Sequence, residues 1–318
     1  METKLTPSSR KLITAILIVA AVVSSFAAGY GLSLATQAPP SEAITVIDDL
    51  GRVVSVPRKV ERIISLAPST TEILFALDLG PRLVAVDAVS DHPAELQELN
   101  LTRINTYPSV ELESVLTMKP DLVVAADIIA ISDINRMAAQ GLAILVLGPK
   151  TIDGILEDIL LVGLVTGKVS AAQRLVEGLQ ARIDAVVAVT SNNTLLPERP
   201  LVYLEFFPLW TFGPGSFGHD LIIMAGGRNA GASLTTPFGV VSNEFVVAAN
   251  PDIIVFTVGV FTETTKEDIA ARPGWDQIAA VREGKIFTID DDEVARTGPR
   301  MVDALEDLAW LLHPDLFP

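Results

Sequence analysis

The sequence predicts an α/β fold in which two related lobes face each other across a cleft. The first observation is an internal repeat, since Lys119 to Val124 (Lys-Pro-Asp-Leu-Val-Val) returns as Asn250 to Val255 (Asn-Pro-Asp-Ile-Ile-Val). In each copy a helical stretch leads through the Pro-Asp turn into an apolar run that is typical of a buried parallel strand. Glu113 and Glu244 each stand seven residues before the proline of their copy, so the preceding helices correspond as well. The repeat predicts a ligand-binding cleft between two lobes, although a Pro-Asp pair before a strand is also common turn chemistry.

The second observation is a series of short apolar runs separated by helical patterns, which predicts parallel sheets. A hairpin precedes the series, with Gly51 in the turn between residues 44–47 and 53–56. The earlier lobe contains apolar runs at residues 63–66, 83–86, 122–125 and 144–147. The later lobe contains runs at residues 201–204, 253–256 and 286–289, and it ends with a helix over residues 301–312.

The third observation is a long helical pattern between the lobes. Ser170 is a suitable N-cap for a helix that continues to about Thr190, with one apolar stripe. Twenty helical residues span about 30 Å, which is the width of a small lobe, so one helix could bridge the molecule. An ordinary surface helix would show the same pattern. We therefore divide the chain into an N-terminal segment, an N-terminal lobe, a bridging helix and a C-terminal lobe, at residues 1–43, 44–169, 170–192 and 193–318.

The N-terminal segment has the pattern of an export signal or a membrane anchor. Residues 12–28 are uncharged and almost wholly apolar, and they follow Lys4, Arg10 and Lys11. Pro39 and Pro40 then favour a tether rather than a turn, which argues against the alternative interpretation of the apolar run as a core helix. We expect an extracytoplasmic protein that is anchored through this segment or secreted after its cleavage.

Composition excludes several classes of function. The 318 residues are enough for two cores, and they include no cysteine. Disulfides, thiolate metal sites, cysteine nucleophiles and a lipid attached through cysteine are therefore excluded. The formal net charge of -16 argues against a nucleic acid partner, because phosphates would be repelled.

Catalytic and metal-binding motifs are missing from the sequence. The three histidines, His92, His219 and His313, do not have the spacing of metal ligands. The glycine-rich stretch at residues 213–218 lacks the lysine of a phosphate loop, and there is no G-x-S-x-G motif. We expect no enzyme, no resident cofactor and no bound metal ion of its own.

Residues 57–79 resemble the opening signature of substrate-binding proteins of ABC importers for iron-siderophores, haem and cobalamin. Further matches follow in the order of the family, at residues 107–113, 225–230, 272–275 and 298–300 and at both Pro-Asp strands. The resemblance implies two Rossmann-like lobes with parallel sheets joined by a single long helix. This agrees with the bridging helix inferred from the helical pattern.

The resemblance also implies which residues line the cleft. These are loop residues near strand ends, namely Ser69, Tyr107, Asp127, Phe207, Trp210, Phe212, Glu293, Arg296 and Arg300. Aromatic faces would pack against a macrocycle or catecholate, and the arginines would pair with anionic groups. Trp210 or Phe212 could instead close the core, and Arg300 could cap the last helix or bind Glu306. Cobalamin-binding members usually have a tyrosine where this chain has Val89, and a Trp-Phe pair where it has Glu293 and Val294, so an iron chelate or haem is as suitable a cargo as a corrinoid.

Docking onto a permease is the second role that the resemblance implies. In such proteins an exposed glutamate on each lobe enters an arginine pocket of the permease, and the matching positions are Glu72 and Glu244. A carboxylate in the first turns of a surface helix is stabilised by the helix dipole and pairs bidentately with arginine. A solvated surface charge is the alternative for either residue.

Together these features predict a monomeric extracytoplasmic solute-binding protein. It would capture a metal chelate or corrinoid and deliver it to an ABC permease. Two alternatives remain open. One is an enzyme on the same scaffold that acts on a siderophore, with catalytic groups from His219, Asp127 or Glu205. The other is a surface receptor domain.

Overall fold

The computed structural model describes residues 43–193, 199–259 and 264–317. The predicted signal or anchor and its tether lie outside the described residues, apart from Ala43. Within the described ranges, no helix has both the length and the apolar character needed to cross a membrane.

The described chain opens with the predicted hairpin. Strand β1 (Ala43–Ile47) pairs antiparallel with β2 (Val53–Pro57), and Gly51 in the turn has a φ of 71°, in the left-handed region that glycine adopts readily. Asp48 forms a salt bridge of 2.5 Å with Arg52 and accepts a hydrogen bond of 3.2 Å from the backbone N–H of Val146. The hairpin is thereby attached to the sheet that follows.

A five-stranded parallel sheet forms the N-terminal lobe. Its strands are β3 (Ile63–Ser65), β4 (Leu83–Asp87), β5 (Thr102–Ile104), β6 (Leu122–Ala126) and β7 (Ile144–Leu147), in the order β5-β4-β3-β6-β7. Its helices are α1 (Pro68–Ala76), α2 (Leu112–Thr117), α3 (Ile131–Ala139) and α4 (Ile152–Thr166). Strand β5 was not predicted, because it has three residues of which two are exposed, so it contains no apolar run.

The bridging helix α5 (Val169–Asn193) is longer than the sequence pattern predicted. It has 25 residues, which corresponds to a length of about 37 Å. It begins at Val169, so Ser170 lies in its first turn and the prediction of Ser170 as its N-cap is wrong. Gly167 ends α4 with a φ of 74°, which lets α5 begin two residues later.

A six-stranded mixed sheet forms the C-terminal lobe. Its strands are β8 (Leu201–Phe207), β9 (Trp210–Phe212), β10 (Arg228–Asn229), β11 (Phe238–Val240), β12 (Ile253–Val258) and β13 (Ile286–Asp290). Its helices are α6 (Phe217–Met224), α7 (Asn243–Ala249), α8 (Lys266–Ala270), α9 (Ala279–Arg282), α10 (Asp291–Ala295) and α11 (Met301–Leu312). The sheet is not wholly parallel, since β9 pairs antiparallel with both β8 and β11. This hairpin was not predicted, and its tight turn is made by Leu209, a non-glycine residue with a φ of 60°.

The internal repeat is confirmed as a structural repeat. Four parallel strands run in the order β4-β3-β6-β7 in one lobe and β10-β8-β12-β13 in the other. The Asp121 carboxylate accepts hydrogen bonds of 2.9 Å from the backbone N–H groups of Glu61 and Arg62, just before β3. The Asp252 carboxylate accepts one of 2.7 Å from Leu201 at the start of β8. Each Pro-Asp aspartate therefore fixes the start of the neighbouring central strand.

Both sheets are covered on their two faces by apolar side chains. Alternate residues of the central strands point to opposite faces, so Leu122 and Val124 belong to one core cluster and Val123 to another. The first cluster also contains Leu179 of α5 and Leu305 of α11. One continuous core therefore joins the two lobes through the bridging helix.

Candidate functional site

A cavity of about 520 Å³ lies between the lobes, beyond the carboxyl ends of β3, β6 and β7 in one lobe and of β13 in the other. The N-terminal lobe contributes Ser69 after β3, Asp127 after β6 and Lys150 after β7. The C-terminal lobe contributes Phe217 at the start of α6 and Arg296 after α10. We call this space the cleft cavity. Its position at the carboxyl ends of parallel strands is where α/β sheets bind ligands.

Ser69 is held in the cavity wall by a rigid helix start. It lies in the first turn of α1, which follows β3 after two residues. The hydroxyl groups of Ser65 and Thr70 are 2.6 Å apart, and the Thr71 hydroxyl donates to Ser65 Oγ at 2.8 Å. Pro68 occupies the first helical position, where a missing backbone N–H costs no hydrogen bond. These contacts fix the start of α1 against the strand.

Asp127 and Lys150 form an ion pair in the cavity wall. Their charged atoms are 2.5 Å apart, and both side chains are partly exposed. Gly148 makes this arrangement possible, since a Cβ atom there would lie 2.7 Å from the Cβ atom of Asp127. The pair neutralises the only lysine that lines the cavity within the described residues.

The C-terminal lobe supplies an aromatic wall. Phe217 and Phe238 line the cavity, and their ring centroids are 5.5 Å apart. Phe212 lies behind both rings, at 5.5 and 5.8 Å, and is 1% exposed. Phe212 therefore supports the two lining rings from the core and offers no face to a ligand.

Five charged side chains meet beside the cavity, across the boundary between the lobes. We call them the clamp cluster, which consists of Glu72 and Asp91 from the N-terminal lobe and Asp292, Arg296 and Arg300 from the C-terminal lobe. Arg300 donates to both carboxylate oxygens of Glu72, at 3.0 and 2.7 Å, and Arg296 donates to Glu72 at 3.2 Å. Arg296 also contacts Asp91 at 2.6 Å and Asp292 at 2.7 Å.

The position of Glu72 corrects one expectation. The resemblance implied an exposed carboxylate, but Glu72 is 4% exposed, because two arginines and the backbone of the opposite lobe cover it. The expectation of exposure is wrong for this structure. Arg300 binds Glu72, whereas Glu306 is bound by Arg182 of α5 at 2.6 Å. The predicted alternative partner of Arg300 is therefore also wrong.

Glu244 has the exposure that was expected. It lies in the first turn of α7, and a hydrogen bond with the Ser242 side chain lowers the pKa of its carboxyl group. The equivalent residue in the repeat is Glu113, which is exposed in the first turn of α2. The structure thus presents one exposed, first-turn glutamate at the same position in each lobe.

The C-terminal side of the cavity is strongly acidic. The carboxylates of Asp290, Asp291 and Asp292 lie within 4.8 Å of one another, and the last two line the cavity. Burial raises the pKa of Asp292 to about 6, with Arg296 opposing this and Asp91 and Asp291 adding to it. Burial and the charges of Asp290, Asp307 and Asp303 raise the pKa of Glu293 to about 7.

The remaining predicted ligand residues lie outside the wall of the cleft cavity. Tyr107 is 90% exposed, Phe207 and Trp210 are exposed where β8 and β9 meet in their hairpin, and Glu293 is partly buried in α10. Arg300 lines a second cavity of about 420 Å³ next to Glu72. The residues that the structure brings together in the cleft cavity are Ser69, Asp127 and Arg296.

Sequence reasoning missed Lys150, Ile128, Phe217 and Phe238. Lys150 and Ile128 could have been predicted as cleft residues, because each follows a predicted strand just as Asp127 does. Phe238 could not have been predicted, because its short strand β11 joins the sheet only through β9, which was itself not predicted.

The catalytic groups considered for an enzyme do not meet. Glu205 is 3% exposed and is held by Arg272 through two contacts of 2.6 and 2.7 Å. His219 Nδ1 lies 3.0 Å from the Asn229 side chain, and Asp127 pairs with Lys150. Each group is committed to a different structural contact.

The family model described as periplasmic binding protein matches residues 63–293, which is more than half of the chain. The chain belongs to the periplasmic binding protein family. Its matched region contains both sheets and the bridging helix.

Several relatives of this periplasmic binding protein cover most of its length. The ABC transporter substrate-binding lipoprotein YvrC of Bacillus subtilis, itself described as uncharacterized, is 29% identical over 86% of this chain and 87% of its own. The vitamin B12-binding protein of Vibrio cholerae is 29% identical over 80% of this chain and 90% of its own.

Solved structures share the two-lobed fold. The periplasmic haem-binding protein RhuT of a Roseiflexus species superposes with a TM-score of 0.71 at 26% identity, over 81% of this chain and 99% of its own. The vitamin B12-binding protein BtuF of Vibrio cholerae gives a TM-score of 0.68 at 26% identity, with the same coverage. These relatives are substrate-binding proteins rather than enzymes.

Proposed function

We propose that this periplasmic binding protein captures a metal chelate or corrinoid outside the cytoplasm and delivers it to an ABC permease. The observation that carries the proposal is the cleft cavity, which residues of both lobes line. The names of its relatives, which include vitamin B12-binding and haem-binding proteins, support this cargo class. In this proposal the protein acts as a monomer, held at the membrane by its apolar N-terminal segment or released from it.

The charges of the cleft cavity favour a neutral or cationic cargo. Lys150 is paired with Asp127, and Arg296 is shared among three carboxylates, so both cations of the wall are already neutralised. Asp291 and Asp292 add negative charge on the opposite side. An anionic ligand would meet repulsion there, whereas a neutral chelate or one with a protonated amine would not. Phe217 and Phe238 provide an apolar surface for the body of the chelate.

Calorimetric titration of residues 43–318 tests the proposal. The ligands are cyanocobalamin, haemin, a neutral ferric trihydroxamate and a ferric trihydroxamate with a terminal amine. The N-acetylated form of the last is its uncharged control of similar shape. We expect saturable binding of at least one neutral or cationic ligand. Haemin should bind more weakly than that ligand. Absence of binding to every ligand would contradict the proposed cargo class.

We propose that Glu113 and Glu244 are the carboxylates that dock onto the permease. Both are exposed in the first turn of equivalent helices, where the helix dipole stabilises the charge that an arginine pocket would bind. Glu72 is unsuited to this role while Arg296 and Arg300 cover its carboxylate. The docking role thus stays with Glu244 and moves, in the N-terminal lobe, from Glu72 to Glu113.

Uptake by cells that carry variants of this chain tests the docking assignment. Glu113→Ala combined with Glu244→Ala should abolish uptake of the cargo and leave its affinity unchanged, because neither residue lines the cleft cavity. Glu111→Ala combined with Glu267→Ala is a matched control on two other exposed glutamates, and it should retain uptake. Normal uptake in the Glu113 and Glu244 double variant would show that these residues do not dock.

A further inference from the structure

We propose that Glu72 is a positioning residue, which joins the two lobes through Arg296 and Arg300 and holds Arg296 in the wall of the cleft cavity. Glu72 lies on α1 of the N-terminal lobe, and the two arginines lie between α10 and α11 of the C-terminal lobe. Its side chain is 3% exposed, and those of Arg296 and Arg300 are 12% and 16% exposed. An ion pair this well shielded from water is screened far less than a surface pair.

The geometry shows that one carboxylate serves both arginines. Arg300 binds Glu72 bidentately at 3.0 and 2.7 Å, while Arg296 reaches Glu72 Oε1 at 3.2 Å. The hydrogen bonds to Glu72 raise the pKa of Arg300, against the effect of burial. Paired carboxylate and guanidinium groups of this kind fix orientation as well as distance.

Backbone packing places the same contact at the boundary between the lobes. A Cβ atom on Gly298, which lies between the two arginines in sequence, would be 3.5 Å from the carbonyl oxygen of Ser69 and 3.6 Å from Glu72 Oε2. The loop of the C-terminal lobe therefore rests directly on the first turns of α1. The same turns carry Ser69 into the cleft cavity.

Loss of the Glu72 charge would leave two arginines facing each other with too few carboxylates. Asp292 would still contact Arg296 at 2.7 Å, but it lies 3.8 Å from Arg300 and belongs to the same lobe as both. Asp91 would be the remaining partner of Arg296 from the N-terminal lobe, and its side chain is 48% exposed. The boundary would thus lose its best-shielded attraction and gain repulsion between like charges.

The distance between the lobes tests this inference directly. The chain has no cysteine, so spin labels can be attached at Ala139→Cys on α3 and Ala271→Cys after α8, both of which replace exposed alanines in different lobes. Pulsed electron paramagnetic resonance on the full chain in detergent then gives the distribution of distances between the two spin labels. Glu72→Gln and Arg300→Gln should each shift this distribution to longer or broader distances, and the double variant should add little to either.

Glu306→Gln is the matched control. Glu306 also binds an arginine bidentately, with contacts of 2.8 and 2.6 Å to Arg182, but this pair connects α5 to α11 without involving α1. Its distance distribution should match that of the unsubstituted labelled chain. An unchanged distribution in Glu72→Gln would overturn the inference, and so would an equal shift in Glu306→Gln. If Glu72→Gln does not fold, Arg300→Gln and the milder Arg300→Lys decide the question by the same criterion.

The role of the Arg296 position in cargo binding rests on the proposed function, whereas the joining of the lobes does not. The distance measurement uses no ligand, so its outcome is independent of whether any chelate binds. If Glu72→Gln shifts the label-to-label distances but no ligand binds in the titration, the role of Glu72 in joining the lobes would stand and the proposed cargo class would be wrong.

Discussion

At the scale of single residues, Asp158 is a buried carboxyl group of the N-terminal lobe whose pKa is strongly raised. It lies in α4, is 3% exposed, and its Oδ2 atom has no hydrogen-bond partner among the described residues. Burial raises its pKa to about 8, and the charge and hydrogen bond of Asp49 add to this effect. Asp158 is therefore protonated near neutral pH in the folded protein.

This protonation predicts a pH dependence of stability. The folded protein keeps the proton up to about pH 8, whereas the unfolded chain releases it near 3.8, so the contribution of Asp158 to the free energy of unfolding falls as pH rises between these values. Asp158→Asn should be more stable than the unsubstituted protein at pH 8, on the order of 5 kcal/mol for a pKa difference of about four units, and should lose most of that advantage near pH 4. Urea unfolding across this range measures the difference, with Glu177→Gln on the exposed side of α5 as control. A constant difference at every pH would contradict the assignment.

Residue roles were predictable from the sequence only where a local pattern determined them. Asp127 and Ser69 follow predicted strands. The preceding strand brings each of them to the edge of the sheet that borders the cleft cavity. The environment of Glu72 was not predictable, since it depends on Arg296 and Arg300, more than 220 residues later in the chain. The spacing of residues along the sequence does not predict which side chains of the opposite lobe will cover a given helix.

At the scale of elements, backbone conformation and hydrogen bonding explain the Pro-Asp repeat. Lys119 and Asn250, the residues before each proline, have φ angles of 46° and 45°, so each helix ends with a left-handed turn. The following aspartate then binds the backbone where the adjacent strand begins. The sequence repeat thus marks the central strand pair of each lobe, which is why it predicted the fold.

The elements that sequence reasoning missed are short and form by pairing with other strands. Strands β5 and β11 have three residues each, and β10 has two. Such segments have no periodicity of their own, and their extended conformation comes from hydrogen bonds to a neighbouring strand. Phe207 and Trp210, on the β8-β9 hairpin, are exposed and do not line the cleft cavity, so their predicted contact with a ligand stays a prediction.

At the scale of the whole molecule, two features limit relative motion of the lobes. The bridging helix α5 contributes Leu179, Ile183 and Val186 to a core that continues into both lobes. The clamp cluster adds a second connection at the boundary, on α1. A protein joined in this way should close only modestly on its cargo, and its cavity should be largely formed beforehand.

Binding of cargo in the cleft cavity can be tested with a matched pair of isoleucines. Ile128 lines the cavity and is 77% exposed, whereas Ile131, three residues later, is 56% exposed and lies outside the wall. The affinity of Ile128→Asn and Ile131→Asn for the cobalamin, haemin and trihydroxamate panel is measured by calorimetry. We predict a loss of about tenfold for Ile128→Asn and no change for Ile131→Asn, because only Ile128 would bury apolar surface against the ligand. Equal affinities of the two variants would contradict binding at the cleft cavity.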